Sequence, residues 1–426
     1  MSRFKRYERY KDSGVEWIGE IPEEWDVLKL KWIFKLVYRY PTYYGIQYSD
    51  NGVIEVRGEM LKGNGLIDVE SCEPRFISEE ISNNYPMTKL KKDDIVMSVR
   101  GTMGKIGLVT DNIENANITA NLLRLSPNKN KVYSKWLVWL MESSRFNEEL
   151  DNYSDQTTIK TIRVPNLLSI NIPLPKYDEQ NAIANFLYQK TAEIDGLIAD
   201  KEKLIELLQE KRQAIITEAV TKGLNPNVRL KDSGIEWIGK IPEEWEVSSL
   251  RWYISIKSGD YISQENIDEE GPIPVIGGNG LMAYTNKANC NFKTIAIGRV
   301  GALCGNVHFI DYPSWITDNA LYITNLRSKL CIKYLFYVLK ALNLNQYANK
   351  TAQPLISSSL VKSQVIPIPP IIEQTDIVNY LDIKTAEIDD IISEIKLQIQ
   401  KLKEYRQSLI YEAVTGKIYV RDYAID

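Results

Sequence analysis

The sequence predicts an α+β protein: two sheet-containing modules separated by two long helices that form an antiparallel coiled coil, with an internal pseudo-two-fold repeat. Three observations predict it. Two scaffold segments each occur twice, two diverged stretches between them are rich in strand formers, and two proline-free segments carry apolar residues every seven positions.

The repeat comes first, because self-similarity at long range decides how every later element is read. KDSGVEWIGEIPEEWDVLKLKW begins at Lys11, and KDSGIEWIGKIPEEWEVSSLRW begins 220 residues later at Lys231. A second pair runs from Ile172 (IPLPKYDEQNAIANFLYQKTAEIDGLI, closing on EKRQAIITEAVTKG) and, 194 residues on, from Ile366 (IPIPPIIEQTDIVNYLDIKTAEIDDII, closing on EYRQSLIYEAVTGK). The offsets differ by 26, so the first insert is the longer one by that amount. The chain divides into a box at 1–34, an insert at 35–171, a spacer helix at 172–230, a second box at 231–254, a second insert at 255–365 and a second spacer helix at 366–426.

The inserts share only a skeleton. DIVMSVRGTMGKIGLV (94–109) aligns with TIAIGRVGALCGNVHF (294–309), ITANLLRL with ITDNALYI, and each is followed by an aromatic, helix-like run. DIVMSV, TIAIG and ALYIT are β-branched and aromatic, bounded by Gly, Asn and Asp, which is strand-and-turn chemistry. Each insert therefore reads as a compact α+β module with a twisted sheet. Retained scaffold with diverged inserts fits two readers with different surfaces better than a duplication without functional meaning.

Pro173 and Pro175 close the first insert, and no proline occurs from Glu179 to Gly223. Apolar residues then recur at Leu187, Ile194, Leu208 and Ile215, with a second row at Leu197/Ile198 and Leu204/Ile205. The second copy is cleaner: Leu381, Ile388, Ile395, Leu402 and Leu409, with a second row at Ile391/Ile392 and Ile399. Sevens sustained this long predict a coiled-coil seam. Lys201 interrupts the first seam where the second copy has Ile395, a substitution that can fix register. Helices of this kind extend about 65 Å, enough to hold two modules around one DNA turn apart. A coil serving only dimerisation is the alternative.

Composition bounds the function. The 426 residues exceed one ordinary domain, and 44% apolar with 25% charged residues suits folded cores and not wholesale disorder. No apolar run approaches a membrane span, and the basic N-terminus has no apolar stretch behind it, so a cytoplasmic location is expected. Four scattered cysteines (Cys72, Cys290, Cys304, Cys331) and the single histidine, His308, offer no zinc-site spacing; reduced, packed thiols and a strand histidine are expected. The net charge of −4 is unevenly spread: insert 35–171 is neutral, 255–365 carries +3 and 366–426 carries −4. A nucleic-acid surface would thus be a local patch. Neither GTMGKIG nor VTGKIYV spaces its glycines as a phosphate-binding loop, GTMGKIG reading instead as a tight turn between strands. No catalytic residue, metal ligand or cofactor-binding residue is expected in the chain.

The GEIPEEW box, the IPLP and EQ segment, TAEID and the KRQAIITEAVTKG helix end, in this order and twice over, resemble the specificity subunits of Type I restriction–modification systems. The likeness covers nearly the whole chain. It implies that the inserts are target recognition domains, each reading one half of a bipartite double-stranded DNA site, and that the helices set the gap and dock two modification (methyltransferase) subunits. S-adenosylmethionine and ATP are then expected on those subunits and on restriction (motor-nuclease) subunits, with adenine methylated elsewhere than in this chain. The [DNS]-P-P-[YFW] motif such methylation uses is missing here; Pro369 and Pro370 lie in IPPIIE.

Base reading favours Arg or Lys toward guanine and Asn or Gln toward adenine, on glycine-bearing loops that approach the duplex. In the first insert Arg39, Tyr43, Tyr44 and Gln47 lie in an aromatic-polar stretch, Arg57 and Lys62 in RGEMLKGNG, and Arg100, Thr102 and Lys105 in RGTMGK. In the second, Asn279, Tyr284, Asn286 and Lys287 lie in IGGNGLMAYTNK, and Arg299 and Asn306 in GRVGALCGN. Arg100 and Arg299 sit in the shared skeleton, which points to phosphate or structural roles. Competing readings are a coiled-coil adaptor with two protein-binding heads, an enzyme with an unrecognised site, and the specificity chain of a methylase lacking a motor subunit.

Overall fold

The structure, a computed structural model, describes residues 4–39, 48–155, 160–301, 303–327, 329–348 and 354–423. The protein is α+β, in two compact units that do not follow chain order. Unit 1 combines residues 1–200 with 398–426, and unit 2 is 201–397. Each boundary falls inside a long helix, Tyr177–Lys222 or Ile371–Val414.

The repeat extends to every sheet. In unit 1 a four-stranded antiparallel sheet runs in the order Phe34–Arg39, Leu122–Pro127, Ile95–Ser98, Ile106–Leu108. Unit 2 has the same order in Ile254–Ser258, Ala320–Leu326, Thr294–Gly298 and Val307–Ile310. Beside it lies a three-stranded sheet whose middle strand, Val53–Val56 or Ile273–Gly277, has one antiparallel and one parallel neighbour. The inner two strands of each larger sheet are buried on both faces, which is why DIVMSV and TIAIG read as near-continuous apolar runs. An amphipathic helix, Ser134–Glu142 or Ile332–Leu342, covers one face. The longer first insert adds helices Glu79–Asn84 and Ser144–Asn152.

The duplicated motifs are structural. Trp25 and Trp245, from the two EEW boxes, are fully buried, and their indole N–H groups donate to the Glu of each EQ pair: Glu179 at 2.9 Å and Glu373 at 2.7 Å. The neighbouring glutamine fastens the helix start to the sheet module. Gln180 accepts from the Tyr133 amide (2.7 Å) and donates to the Lys131 and Pro175 carbonyls; Gln374 does the same with Cys331 (2.7 Å), Lys329 and Pro369. A buried amide with donor and acceptor both met specifies one docking geometry, since no hydrocarbon could satisfy those backbone groups.

Within the long helices Leu187, Thr191, Ile194 and Ile198 are buried, as are Leu381, Thr385, Ile388, Ile392, Ile395 and Ile399, at alternating spacings of four and three. This resolves the paired second rows. Ile198 and Ile392 point inward, whereas Leu197, Leu204 and Ile391 are exposed. Arg406 pairs with Asp195 at 2.9 Å in unit 1, and Arg212 with Asp389 at 3.3 Å in unit 2. These are repeat-equivalent residues, so the Asp of TAEID and the Arg of the RQ pair form one device used twice. All four cysteines are free thiols, Cys290 and Cys304 being buried. Among the described residues no helix is long and apolar enough to cross a membrane.

Candidate nucleic-acid interface

In unit 1 the strands Ile95–Ser98 and Ile106–Leu108 are joined by the RGTMGK turn. The Ser98 hydroxyl organises it, donating to the Thr102 carbonyl (2.5 Å) and accepting from the Lys105 amide (3.0 Å), while the Gly104 amide donates to the Ser98 carbonyl (2.9 Å). Gly101 and Gly104 have φ of +79° and +86°, a conformation costly to any residue with a Cβ. The turn leaves Arg100, Thr102 and Lys105 exposed.

Those three side chains border a cleft of about 730 Å³ together with Tyr48, Glu55, Arg57, Arg75 and Asn121. Arg75 stacks over the Tyr48 ring at 5.4 Å. Glu55, from the middle strand of the smaller sheet, is 1% exposed. Arg57 is only 14% exposed in its side chain; it pairs with Glu59 at 2.5 Å and donates to Cys72 at 3.2 Å and to the Glu73 carbonyl. Its guanidinium therefore braces the 57–73 segment from inside the cleft. Arg75, Arg100 and Lys105 leave the rim positively charged, and the mix of guanidinium, ammonium, amide and carboxylate can contact both phosphates and base edges.

Lys62 lies outside this cleft, its ammonium donating to the Glu59 carbonyl at 2.8 Å. The adjoining loop is anchored from behind: the Asn64 and Gly65 amides donate to the Glu142 carboxylate at 3.0 and 2.8 Å. Burial pushes the Glu142 carboxyl up, against the two amides and Arg406, which pull it down. The Asn64 side chain bonds Asp195 (3.2 Å) and accepts from Arg406, tying the loop to the helical ion pair. Arg39 is exposed at the end of its strand, opposite Leu123, and Tyr43, Tyr44 and Gln47 fall outside the described residues.

In unit 2 the equivalent turn, 299–306, is closed by the Gly298 amide on the Asn306 carbonyl (2.8 Å) and the Gly305 amide on the Gly298 carbonyl (2.8 Å). A Cβ on Gly298 would strike the Gly278 carbonyl, so glycine is required where the two sheets' strand ends meet. This close approach brings Asn279 beside Asn306, whose amide donates to it at 2.8 Å. Tyr284 is half-buried in the strand Gly280–Thr285, and Asn286 and Lys287 are exposed just beyond it.

Arg100 and Arg299 are offset by one position in the structure, as they are in the alignment of 94–109 with 294–309. The Val99 amide bonds the Asn121 carbonyl and the Arg299 amide the Asn319 carbonyl, so Arg299 matches Val99, and Arg100 matches Val300. Side chains alternate along a strand, and the one-residue difference turns Arg299 inward, where it donates to Ser258 (3.3 Å) and to the Asp318 carbonyl (3.4 Å). Arg100 stays outside. Reading for glycine-flanked cations also missed Glu55, Arg75 and Asn121, which reach the cleft from within the strand Val53–Val56 and from just before the strands Phe76–Ile77 and Leu122–Pro127. Asn121 left a signal in the ITAN and ITDN pair, and Tyr48, also at the cleft, closes the aromatic-polar stretch YRYPTYYGIQY.

Comparison with known proteins agrees with this architecture. A putative type I restriction enzyme MjaX specificity subunit from Methanocaldococcus jannaschii is 25% identical over 98% of this chain and 99% of its own length. The MjaVIII specificity subunit of the same organism is 33% identical over 48% of this chain and 47% of its own. Among solved structures, a chain from a study of complex assembly and conformational transition in the type I R-M system has a TM-score of 0.72 at 15% identity, covering 93% of this chain and 99% of that one. The HsdS subunit from Thermoanaerobacter tengcongensis has a TM-score of 0.52 at 17% identity, with 93% and 98% covered. Residues 22–207 and 242–401 match the family described as the Type I restriction modification DNA specificity domain, and the chain belongs to that family.

Proposed function

We propose that this DNA-specificity subunit reads a bipartite site, unit 1 and unit 2 each contacting one half, and that it carries no catalytic group of its own. One observation carries the reading. The two units repeat one sheet topology strand for strand, yet place different side chains on the same strand–turn–strand feature: Arg100, Thr102 and Lys105 in one, and Arg299 and Asn306 in the other, where Asn306 donates to Asn279 of the neighbouring hairpin. Cations on the unit 1 turn suit phosphate contact, and residues peculiar to one unit suit base reading.

The long helices act as an antiparallel coiled-coil spacer. Two ion pairs support this pairing, since a step of 17 residues forward from Asp195 to Arg212 accompanies a step of 17 back from Arg406 to Asp389. The alternating four-and-three burial supports it too. Leu197, Leu204, Leu207, Ile391, Leu397 and Tyr405 remain exposed on the helices. Apolar side chains in that number suit docking of partner subunits, two modification subunits bringing S-adenosylmethionine and restriction subunits bringing ATP.

The test is methylation sequencing of a host carrying this chain and its methyltransferase, against the same host with this chain deleted. A bipartite adenine motif that vanishes on deletion is expected. An unchanged methylome with the methyltransferase active would overturn the reading and favour a coiled-coil adaptor.

A further inference from the structure

The two units treat one repeated carboxylate differently. In unit 1, Glu179 is 3% exposed and surrounded by donors. Trp25 donates at 2.9 Å, Tyr7 at 2.5 Å, and the Arg421 guanidinium forks over both oxygens at 2.9 and 2.8 Å. Arg421 also reaches Glu24 at 3.3 Å. Two glutamates thus hold one arginine, delivered by the segment that follows the second long helix, with a tyrosine from the N-terminal segment beside it.

Both glutamates recur in unit 2. Glu373 is the repeat equivalent of Glu179, and Glu244 that of Glu24. Glu373 keeps its tryptophan, Trp245 at 2.7 Å, and among the described residues this is its one side-chain hydrogen-bond partner. Among the described residues no arginine reaches it. The reason is connectivity: here the chain passes from the first long helix straight into the strand Leu230–Asp232 through residues 223–229, so no free segment is present to supply the cation. What remains is a groove of about 370 Å³. Glu244, Glu373 and Asp376 line it, Asp376 standing where unit 1 has Ala182, and Leu224, Val228 and Trp245 provide apolar walls. Among the described residues that line it the one cation, Lys222, is turned to Glu218 at 3.7 Å.

We propose that this groove of unit 2 is a docking site for an arginine-bearing segment of a partner protein, held by Glu373 and Glu244 as Arg421 is held by Glu179 and Glu24. The fork of a guanidinium matches a carboxylate in two parallel hydrogen bonds, which an ammonium cannot do. The apolar walls suit an aliphatic or aromatic neighbour of that arginine.

The chain's own tail supplies the probe. A fluorescent heptapeptide with the sequence of residues 417–423, KIYVRDY, is titrated onto the full-length protein and followed by anisotropy. Saturable binding is expected, weakened at least tenfold when citrulline replaces the arginine, and likewise by Glu373→Gln. Glu244→Gln, at an exposed position, repeats the test without touching the buried tryptophan. Equal affinity for the citrulline peptide overturns the proposal. So does binding that survives both substitutions, which would mean displacement of the tail in unit 1, and so does no saturation below about 1 mM. The measurement uses no DNA, so its failure leaves the DNA-specificity reading untouched.

Discussion

Arg100 and His308 show how much one residue's surroundings decide. Arg100 is exposed on a glycine turn at the mouth of a cation-rimmed cleft, with no fixed side-chain partner among the described residues and Val300 at its equivalent in the other unit. A guanidinium with no fixed partner there suits phosphate contact. Arg100→Ala is therefore expected to weaken binding to all duplexes alike and to lower the salt slope by about one. Competition binding against cognate and scrambled duplexes checks it; a loss confined to the cognate site would assign Arg100 to base reading. His308, the only histidine, is the opposite case. It lies in the strand Val307–Ile310 with Nε2 buried and unpartnered, and burial first, then Lys340, hold its pKa below the ordinary value. As pH falls through about 6.5 the unfolded chain takes up a proton that the folded imidazole refuses, so stability drops from there down to the depressed folded value. His308→Asn should remove that part of the pH slope. Urea melts at pH 7 and pH 5.5 measure it, and a variant that keeps the full slope would refute the assignment. The strand position of His308 was legible in the sequence, and its buried nitrogen was not, because burial depends on what the neighbouring sheet brings over it.

At the scale of elements, a helix end shows why the repeat could be read while its closure could not. Gly223 and Gly416 end the two long helices, both at φ +74°. A Cβ at 223 would meet Trp245 at 3.1 Å; at 416 it would drive into the Pro22 ring and also meet Trp25 at 3.1 Å. Left-handed backbone with a Cβ costs about 1–2 kcal/mol and overpacking about 1–3 kcal/mol more. Gly416→Ala should thus destabilise unit 1 by about 2–4 kcal/mol, and Gly223→Ala should cost unit 2 about half as much; urea unfolding followed by tryptophan fluorescence ranks them. Equal costs would mean the Pro22 contact relaxes freely. The boxes, the EQ pairs and the heptads were legible because each needs particular residue types: an indole to donate, an amide to bridge, an apolar row to bury. The joining of the C-terminal tail to the N-terminal box was not. Tyr10 donates to the Gly416 carbonyl and Arg421 grips Glu179, but such pairs lie hundreds of residues apart and leave no periodic trace.

For the whole molecule, the spacer reading makes a claim about length and phase together. In an antiparallel pairing that sets Asp195 against Arg406 and Arg212 against Asp389, Asp200 lies opposite Lys401 and Lys201 opposite Gln400, so heptads inserted after Asp200 and after Gln400 preserve the seam. One heptad adds about 10 Å, or about three base pairs of reach, and three base pairs turn the second half-site about 100° around the DNA axis. A coiled coil keeps its own facing across a heptad, so the module would meet the wrong side of the duplex and methylation should fail. Three heptads add about 32 Å, close to the roughly 34 Å of one full DNA turn, and both length and facing are restored. Methylation sequencing should then report the same two half-sites with a gap longer by about nine or ten base pairs. An unchanged gap in the three-heptad variant would show that the helices do not set the distance. Half-sites altered along with the gap would show that the recognition surfaces depend on spacer length, which neither unit's sheet, with its contacts closed inside the unit, gives reason to expect.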